Sequence, residues 1–316
     1  MNTTPETDLR EREIALLESA QDGQTTTSVQ LFQDLILYYY RHFGRDLPWR
    51  HTADPYHILV SEIMLQQTQV ERVVPKYTAF LEAFPSIDAL AAAPLPDLLM
   101  VWSGLGYNRR AISLQTTAVM LRDEYNGIIP ADPEELRRLP GIGKATAAAI
   151  CAYAFNMPVV YIETNIRQLI IHYFFQGADD IPDTALVPVL EKALYRDAPR
   201  DFYSGMMDYG TDLRKRRKNQ NTRSRHYHRQ APFAGSDREI RGEILRLLLK
   251  QKEMPGDLLF TSCNADPVRV QRIVCDLEKE GFVRLDAGVY TIRDDTRVSD
   301  ILQRDNILDS RQLPDH

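Results

Sequence analysis

Two carboxylates in otherwise apolar surroundings are the side chains of this sequence best suited to acid–base chemistry. Glu62 lies in SEIMLQQTQVERV, whose apolar residues recur at the spacing of a buried helix face. Glu163 lies in the apolar run VYIETNIRQLI, which also contains Asn165. Burial beside apolar groups raises the pKa of a carboxyl group, and a raised pKa suits a general acid. Each residue alone also fits a structural interpretation: a surface glutamate on an amphipathic helix for Glu62, and a salt bridge for Glu163.

A glycine-containing turn between two helices indicates contact with phosphate. LPGIGKATAAAI follows a helix start at Asp132, turns on Gly141 and Gly143, and continues as an alanine-rich helix. Such glycines let backbone N–H groups approach a phosphate closely, beside a helix N-terminus that favours anions. A tight corner between two helices is the alternative. Leu-Pro before the turn, with Lys144 and Thr146 after it, favours a helix-hairpin-helix that contacts the DNA backbone without reading its sequence.

Two short segments carry side chains that could enter a stack of bases. The run QQTQ supplies amides, among them Gln67, that can satisfy exposed base edges. In GLGYNRRA, glycines flank Leu105 and Tyr107 follows, so a turn there presents an apolar and an aromatic side chain together. Side chains of this kind wedge into base steps in proteins that bend DNA at the minor groove. The alternative is a turn at a helix start, with Tyr107 in the core.

The distribution of charge favours a nucleic-acid partner, although the net charge does not. The chain has 38 basic and 44 acidic residues, which gives a net charge of −6. Local basic stripes matter more for phosphate binding than net charge does. A solvated basic loop is the alternative. Between Asp212 and Asp237 there is no acidic residue but there are eight basic ones: Arg214, Lys215, Arg216, Arg217, Lys218, Arg223, Arg225 and Arg229.

Length and local patterns predict two domains with polar tails. The 316 residues suggest roughly two domains at about 150 residues per domain. The pattern predicts a polar tail with one frayed helix over 1–27, a helical core over 28–230, a C-terminal domain over 236–293 and a second polar tail over 294–316. In the C-terminal domain, a capping box, two helices and the hairpin FVRL-DAG-VYTI predict a winged helix-turn-helix. Its helix 266–280 would be a DNA-recognition helix, or the whole domain would dock another protein domain.

The sequence does not indicate a membrane protein, a secreted protein or a metalloprotein. The N-terminal segment lacks the basic and apolar regions of a secretory signal, and no apolar run reaches the about 20 residues of a membrane helix. Cys151, Cys263 and Cys275 lie far apart, so they predict neither a disulfide framework nor a metal site. We therefore expect a cytoplasmic protein without a bound metal.

In this order, the segments DLPWR, PYHILVSEIMLQQTQV, GLGYNRRA, LPGIGKATA and ETNIRQ resemble the helix-hairpin-helix (HhH-GPD) DNA glycosylases. MLQQTQV and GLGY are most similar to the adenine glycosylases of A/G mismatches (MutY type). The resemblance covers about residues 32–210 and implies a mainly α, two-lobed core. It also implies a monofunctional hydrolase that flips a base out of the duplex and removes adenine opposite 8-oxoguanine or guanine.

The partner implied by this resemblance is double-stranded DNA containing a mismatch or lesion. The protein is expected to bind it as a monomer and to have no membrane partner. Two alternatives stay open. The same chemistry could act on another base, such as thymine in a T/G mismatch or a modified base. The chain could also be a lesion-binding protein with little catalysis.

The resemblance assigns active-site roles by position. Glu62 matches the acid that protonates the departing adenine, and Asn165 matches an active-site amide beside that acid. Asp208, in GMMDYG, matches an acidic residue that holds adenine. Where the family has a catalytic Asp, this chain has Glu163, one methylene longer, which would stabilise the positively charged sugar. We expect a pocket adapted to the longer side chain, so that Glu163→Asp loses activity.

The resemblance also assigns residues that contact DNA. Gln67 matches the amide that fills the base stack, Thr68 faces the opposite 8-oxoguanine, and Leu105 and Tyr107 match the intercalating loop. A monovalent cation at the helix-hairpin-helix is a further implied ligand. Phosphate contacts are expected from Gly141, Gly143, Lys144, Thr146, Arg214, Lys215, Arg216 and Arg217.

Three departures from the family pattern change what is expected. Ala145 stands where related lyases carry the Schiff-base lysine, and Lys144 is one position away, about 100° around the helix. The family's C-terminal domain is replaced by the winged-helix pattern. The family's four-cysteine iron–sulfur loop is also missing, so no cluster is expected and the basic residues of 213–230 would grip phosphates in its place. The four cluster positions are occupied by Arg214, Asn221, Ser224 and Gln230.

Overall fold

The computed structural model describes residues 4–229 and 232–294, which are mainly helical, as the sequence predicted. The helices are α1 (Pro5–Ser19), α2 (Thr26–Phe43), α3 (Pro55–Leu65), α4 (Val70–Ala83), α5 (Ile87–Ala91), α6 (Leu95–Trp102), α7 (Arg109–Glu124), α8 (Pro133–Leu136), α9 (Lys144–Phe155), α10 (Thr164–Phe174), α11 (Asp183–Ala193), α12 (Pro199–Arg216), α13 (Asp237–Gln251), α14 (Gly256–Ser262) and α15 (Pro267–Lys279). The strands are β1 (Glu253–Pro255), β2 (Val283–Asp286) and β3 (Val289–Ile292). None of the described helices is both long and apolar enough to cross a membrane.

The described residues form two compact units, between which the chain passes several times. Unit 1 comprises residues 4–58, 131–137 and 142–229. Unit 2 comprises residues 59–130, 138–141 and 232–294. The C-terminal segment, which the sequence set apart as a domain, therefore belongs to the same compact unit as helices α4 to α7.

Aromatic side chains from α2, α10 and α12 form the core of unit 1. Phe32, Tyr173, Phe202 and Tyr209 are all buried in it. The ring of Phe32 meets those of Tyr173 and Phe202 edge to face, with centroids 6.1 Å apart in both pairs. Large aromatic side chains bury much apolar surface and have preferred contact geometries. This core therefore holds α10 and α12, whose residues include several site candidates, in fixed positions.

The segment predicted as a polar tail with a frayed helix forms helix α1, which is anchored within unit 1. Leu9 and Leu16 are buried, and the carboxylate of buried Glu13 accepts hydrogen bonds from the Tyr209 hydroxyl at 2.8 Å and from Arg216 at 2.7 Å. The apolar stripe of α1 is narrow, and its polar anchors lie about 200 residues away along the chain. A local pattern cannot reveal an anchor of this kind, which explains the difference.

The C-terminal segment of unit 2 has the two helices and the hairpin that the sequence predicted, and in addition the short helix α14 and the strand β1. Its sheet has the order β1-β3-β2, and both pairings are antiparallel. Between β2 and β3, Ala287 and Gly288 have φ values of 47° and 83°, as a tight type I′ hairpin turn requires. At the start of α13, the Ser236 hydroxyl accepts a hydrogen bond from the Glu239 N–H at 3.4 Å. The segment therefore contains three helices and a hairpin, and its assignment as a winged helix-turn-helix stays a prediction.

Candidate functional site

Glu62 lies near the end of α3, the most apolar of the helices that carry a candidate residue. The helix starts at Pro55, where the Asp54 carboxylate accepts the Tyr56 N–H at 2.8 Å. Ser61 and Ile63, which flank Glu62 in sequence, are buried, whereas Glu62 itself is half-buried. A half-buried carboxylate on an apolar helix can reach a ligand and still have little surrounding water.

The end of α3 is closed by Arg110, a residue that the sequence analysis did not single out. Burial lowers the pKa of Arg110 to about 10, which leaves it charged at neutral pH. A guanidinium that satisfies the last carbonyl groups of a helix replaces the usual glycine cap. The absence of glycine after Leu65 was the only sequence signal for it. Arg110 donates to six acceptors at 2.6–3.4 Å: the carbonyl oxygens of Ile63, Met64, Gln66, Gly106 and Tyr107 and the hydroxyl of Thr68.

Unit 2 brings together the four residues expected to contact the base stack. Gln67 is exposed and has a left-handed backbone, with φ of 53°. The Thr68 hydroxyl donates to the carbonyl oxygen of Leu105 at 3.4 Å, which joins the turn after α3 to the loop 104–107. Tyr107 in that loop also has a positive φ, 48°. Leu105 itself is only 3% exposed, Thr68 and Tyr107 are half-buried, and Gln67 is the exposed one of the four.

The helix-hairpin-helix is formed as its sequence predicts. Asp132 caps α8, and Gly143 occupies the N-cap position of α9. Gly141 has φ of 77°, and a Cβ atom there would lie 2.8 Å from Cβ of Ser113, so glycine is required. Lys144 is exposed at the first turn of α9, where the helix favours an anion.

Two carbonyl oxygens of this hairpin are already satisfied within unit 2. The Thr117 hydroxyl donates to the Pro140 carbonyl at 3.0 Å, and the Gln66 side chain donates to the Gly141 carbonyl at 3.1 Å. Thr146, one turn into α9, is half-buried. Phosphate binding by the hairpin and a monovalent cation at its carbonyl groups stay predictions.

Glu163 is the N-cap of α10 in unit 1. Its Oε1 accepts hydrogen bonds from the N–H groups of Asn165 at 2.6 Å and Ile166 at 3.0 Å. Burial raises the pKa of Glu163, while these two bonds and Arg167 act in the opposite direction. In the described part of the chain Glu163 forms no salt bridge, so the structural interpretation of this residue is a helix cap.

Asn165 follows this cap and is also held within unit 1. Its Oδ1 accepts a hydrogen bond from the Thr211 hydroxyl at 3.2 Å, and its amide nitrogen lies 3.8 Å from the sulfur of Met207. The neighbouring Arg167 pairs with Asp183 at 2.6 Å. Glu163 and Asn165 are therefore adjacent at the first turn of α10, whereas Glu62 belongs to unit 2.

Asp208 is a buried partner of two arginines. Its side chain is 1% exposed, and it pairs with Arg45 and with Arg50, both at 2.6 Å. The Arg45 N–H donates to the same carboxylate at 2.8 Å. These donors occupy both carboxylate oxygens, so this structure does not support the expected contact of Asp208 with adenine. The pairing instead ties α12 to the DLPWR segment, in which Arg50 lies.

The basic segment 213–229, which starts within α12, is partly fixed within unit 1 by ion pairs. Arg216 pairs with Glu13 and Asp212, both at 2.7 Å, so it is already engaged within the protein. Arg225 pairs with Asp180 at 2.6 Å. Three cations expected to contact phosphate are exposed at the end of α12: Arg214, Lys215 and Arg217.

At the four positions that the resemblance assigns to cluster cysteines, the side chains cannot ligate iron as thiolates do. Asn221 is buried and donates to the Gln168 side chain at 3.3 Å. Ser224 is also buried, in a backbone bridge with Ile181. Arg214 is exposed, and the fourth position, residue 230, lies outside the described residues. The described residues contain no group of three or more potential metal ligands, and the side chains at these positions do not fit an iron–sulfur cluster.

Comparison with known proteins identifies the family. Residues 60–316 match the model of the HhH-GPD superfamily of base excision DNA repair proteins. The chain is 34% identical to the adenine DNA glycosylase of Mycolicibacterium smegmatis over 270 residues, which cover 78% of this chain and 91% of the relative. It is 46% identical over 145 residues to the adenine DNA glycosylase of Buchnera aphidicola subsp. Baizongia pistaciae, a match that spans 46% of this chain and only 41% of that relative.

Solved structures agree with this assignment at the level of the fold. A thermostable thymine-DNA glycosylase has a TM-score of 0.56 and 29% identity, over 61% of this chain and 90% of the other. An endonuclease III–DNA covalent intermediate has a TM-score of 0.51 and 20% identity, over 67% of this chain and 92% of the other. The chain belongs to the HhH-GPD superfamily of base excision DNA repair proteins.

Proposed function

We propose that this chain is a monofunctional adenine DNA glycosylase that removes adenine opposite 8-oxoguanine or guanine. One observation carries the proposal: the helix that bears Glu62 leads directly into Gln67 and Thr68, and Arg110 donates both to the Thr68 hydroxyl and to the Gly106 carbonyl in the loop that contains Leu105. An acid thereby lies a few residues from side chains suited to the gap that a flipped base leaves. The similarity to the adenine DNA glycosylase of Mycolicibacterium smegmatis supports the choice of adenine.

The chemistry assigns a different task to each carboxylate. The base must leave the stack before its glycosidic bond is accessible. Glu62 protonates the departing adenine as a general acid. Glu163 stabilises the positive charge that develops on the sugar and helps to position water. The product is an abasic site in an unbroken strand, because Ala145 provides no amine for a Schiff base.

The protein acts as a monomer on mismatched or damaged duplex DNA in the cytoplasm, without an iron–sulfur cluster. A monovalent cation at the helix-hairpin-helix is its only proposed ion. The exposed Lys144 at the start of α9 supports phosphate binding by the hairpin.

The test is excision from labelled duplexes of defined mismatch. The protein is incubated with duplexes containing A opposite 8-oxoguanine, A opposite G, T opposite G, and A opposite T, and alkali then reveals abasic sites. We expect product from the first two duplexes and none from A opposite T. Because a thymine-DNA glycosylase is a structural neighbour, thymine is the second base to test. Product only from T opposite G would change the substrate, and tight lesion binding without product would indicate a binding protein.

A further inference from the structure

The C-terminal segment contacts the loop 104–107 within unit 2. Arg238 on α13 donates to the Tyr107 hydroxyl at 2.5 Å, and its guanidinium carbon lies 5.7 Å from the centre of the Tyr107 ring. Glu280, after α15, pairs with Arg109 at the start of α7 and with Arg241 on α13. Although burial alone would raise it, these two arginines hold the pKa of Glu280 below its ordinary value. The segment is therefore attached to the loop expected to enter DNA.

A cavity of about 930 Å³ lies between α13, the loop 104–107 and the turn after α3. This volume is near the upper end of the range for ligand pockets and is sufficient for a nucleotide with its phosphate. Glu239 and Glu243 also line the cavity, so positive charges exceed negative ones by four in its lining. Such an excess attracts a polyanion. Six arginines line it: Arg72, Arg109, Arg110, Arg238, Arg241 and Arg246.

The six arginines differ in how many ion pairs and hydrogen bonds they already form within the protein. Arg109 and Arg241 share Glu280, and Arg110 donates to six acceptors of its own. Arg72 and Arg246 are exposed, and neither forms an ion pair with any residue that the structure describes. These two cations can therefore bind external phosphates without breaking an existing pair.

Helix α15, which the sequence predicted as the recognition helix, lacks such cations. Arg269 and Arg272 both pair with Asp237 on α13, at 2.5 and 2.6 Å. Lys279 lies 3.8 Å from Asp276 on the same helix. The basic residues of α15 thus join α15 to α13 or to its own acidic side chains.

We propose that the C-terminal segment binds the DNA backbone through α13, with Arg246 of α13 and Arg72 of α4 holding phosphates at the mouth of this cavity. Gln67 and Tyr107 also line the cavity. The phosphates bound there would therefore be those of the DNA duplex into which these two side chains insert. The inference rests on the proposed function. It replaces α15 by α13 as the part of this segment that contacts DNA.

The experiment measures the salt dependence of binding to a duplex with A opposite 8-oxoguanine, for the full chain and its variants. Each phosphate contact that is lost should flatten the plot of log affinity against log salt by about 0.9. We therefore expect a change of about 1.8 for Arg72→Gln with Arg246→Gln. Arg272→Gln is the matched control, because it also removes an exposed arginine of the same segment, and its slope should not change.

The outcomes separate this inference from the proposed function. Circular dichroism of both variants confirms their folding before binding is measured. An unchanged slope in the double variant would overturn the inference, as would an equal loss of slope in Arg272→Gln. Excision of adenine by the unaltered protein tests the proposed function independently, since it can succeed whichever helix holds the phosphates.

Discussion

Shortening Glu163 by one methylene tests the role of this carboxylate most directly. The sequence alone favours a pocket adapted to the longer side chain, in which Glu163→Asp loses activity. The geometry of the helix cap favours the opposite outcome. Oε1 is held by the N–H groups of Asn165 and Ile166, so the helix backbone sets the position of the carboxylate more than the length of the side chain does. Aspartate is among the preferred N-cap residues and satisfies the same two donors.

The expected magnitudes follow from this geometry. Glu163→Asp should keep excision within about tenfold of the unaltered protein, because its carboxylate stays within less than about 1 Å of the original position. Glu163→Gln keeps an oxygen for the cap but loses the negative charge, and should slow excision by about 10²–10³-fold. Glu163→Ala should in addition lower the free energy of unfolding by about 0.5–2 kcal/mol, the usual cost of a lost cap.

The assay is single-turnover excision from a duplex with A opposite 8-oxoguanine, together with thermal unfolding of each variant. The ionised form of Glu163 is the active one, so the rate falls as the pH is lowered through its pKa. Burial raises that pKa, and we therefore expect the acid limb of the rate profile above the pH of an ordinary glutamate. A fall in the excision rate of Glu163→Asp by 10²-fold or more, with unchanged stability, would refute the idea that the helix backbone sets the position of the carboxylate. Full activity of Glu163→Gln would show that the residue only caps the helix.

Four further outcomes are expected. Glu62→Gln should lower single-turnover excision by about 10²–10⁴-fold and leave lesion binding largely intact, and turnover at the original rate would remove Glu62 from the mechanism. Borohydride added during the reaction should trap no covalent adduct, because position 145 is alanine; an adduct on any lysine would contradict the monofunctional assignment. The purified protein should contain no iron by elemental analysis and should stay folded with a chelator, whereas stoichiometric iron would show that a cluster forms. Neutralising the exposed cations at the C-terminal end of α12 together should flatten the salt slope by up to about 0.9 per lost contact on every DNA sequence, and an unchanged slope would contradict this expectation. The variant replaces Arg214, Lys215 and Arg217 and keeps Arg216, which holds Glu13.

Local sequence determined much of the fold and the order of the candidate site. Capping residues such as Asp132 and Ser236 mark helix starts because they satisfy N–H groups only two or three residues away. The hairpin between β2 and β3 follows from residues that tolerate a positive φ, above all Gly288. The motif containing Glu62 and the glycine turn at Gly141 are likewise local, so the sequence alone places each of them on its element.

Only the tertiary structure decided which charged side chains form pairs or hydrogen bonds within the protein. Glu13 anchors α1 through Tyr209 and Arg216, Asp208 is enclosed by Arg45 and Arg50, and Arg110 joins two segments about 40 residues apart. A long charged side chain can pair with any opposite charge that the chain path brings near it, and the sequence does not contain that path. Burial then determines the result, since a charge removed from water requires a partner. For this reason the types of the candidate residues could be predicted, whereas the engagement of Asp208, Arg216 and the arginines of α15 could not.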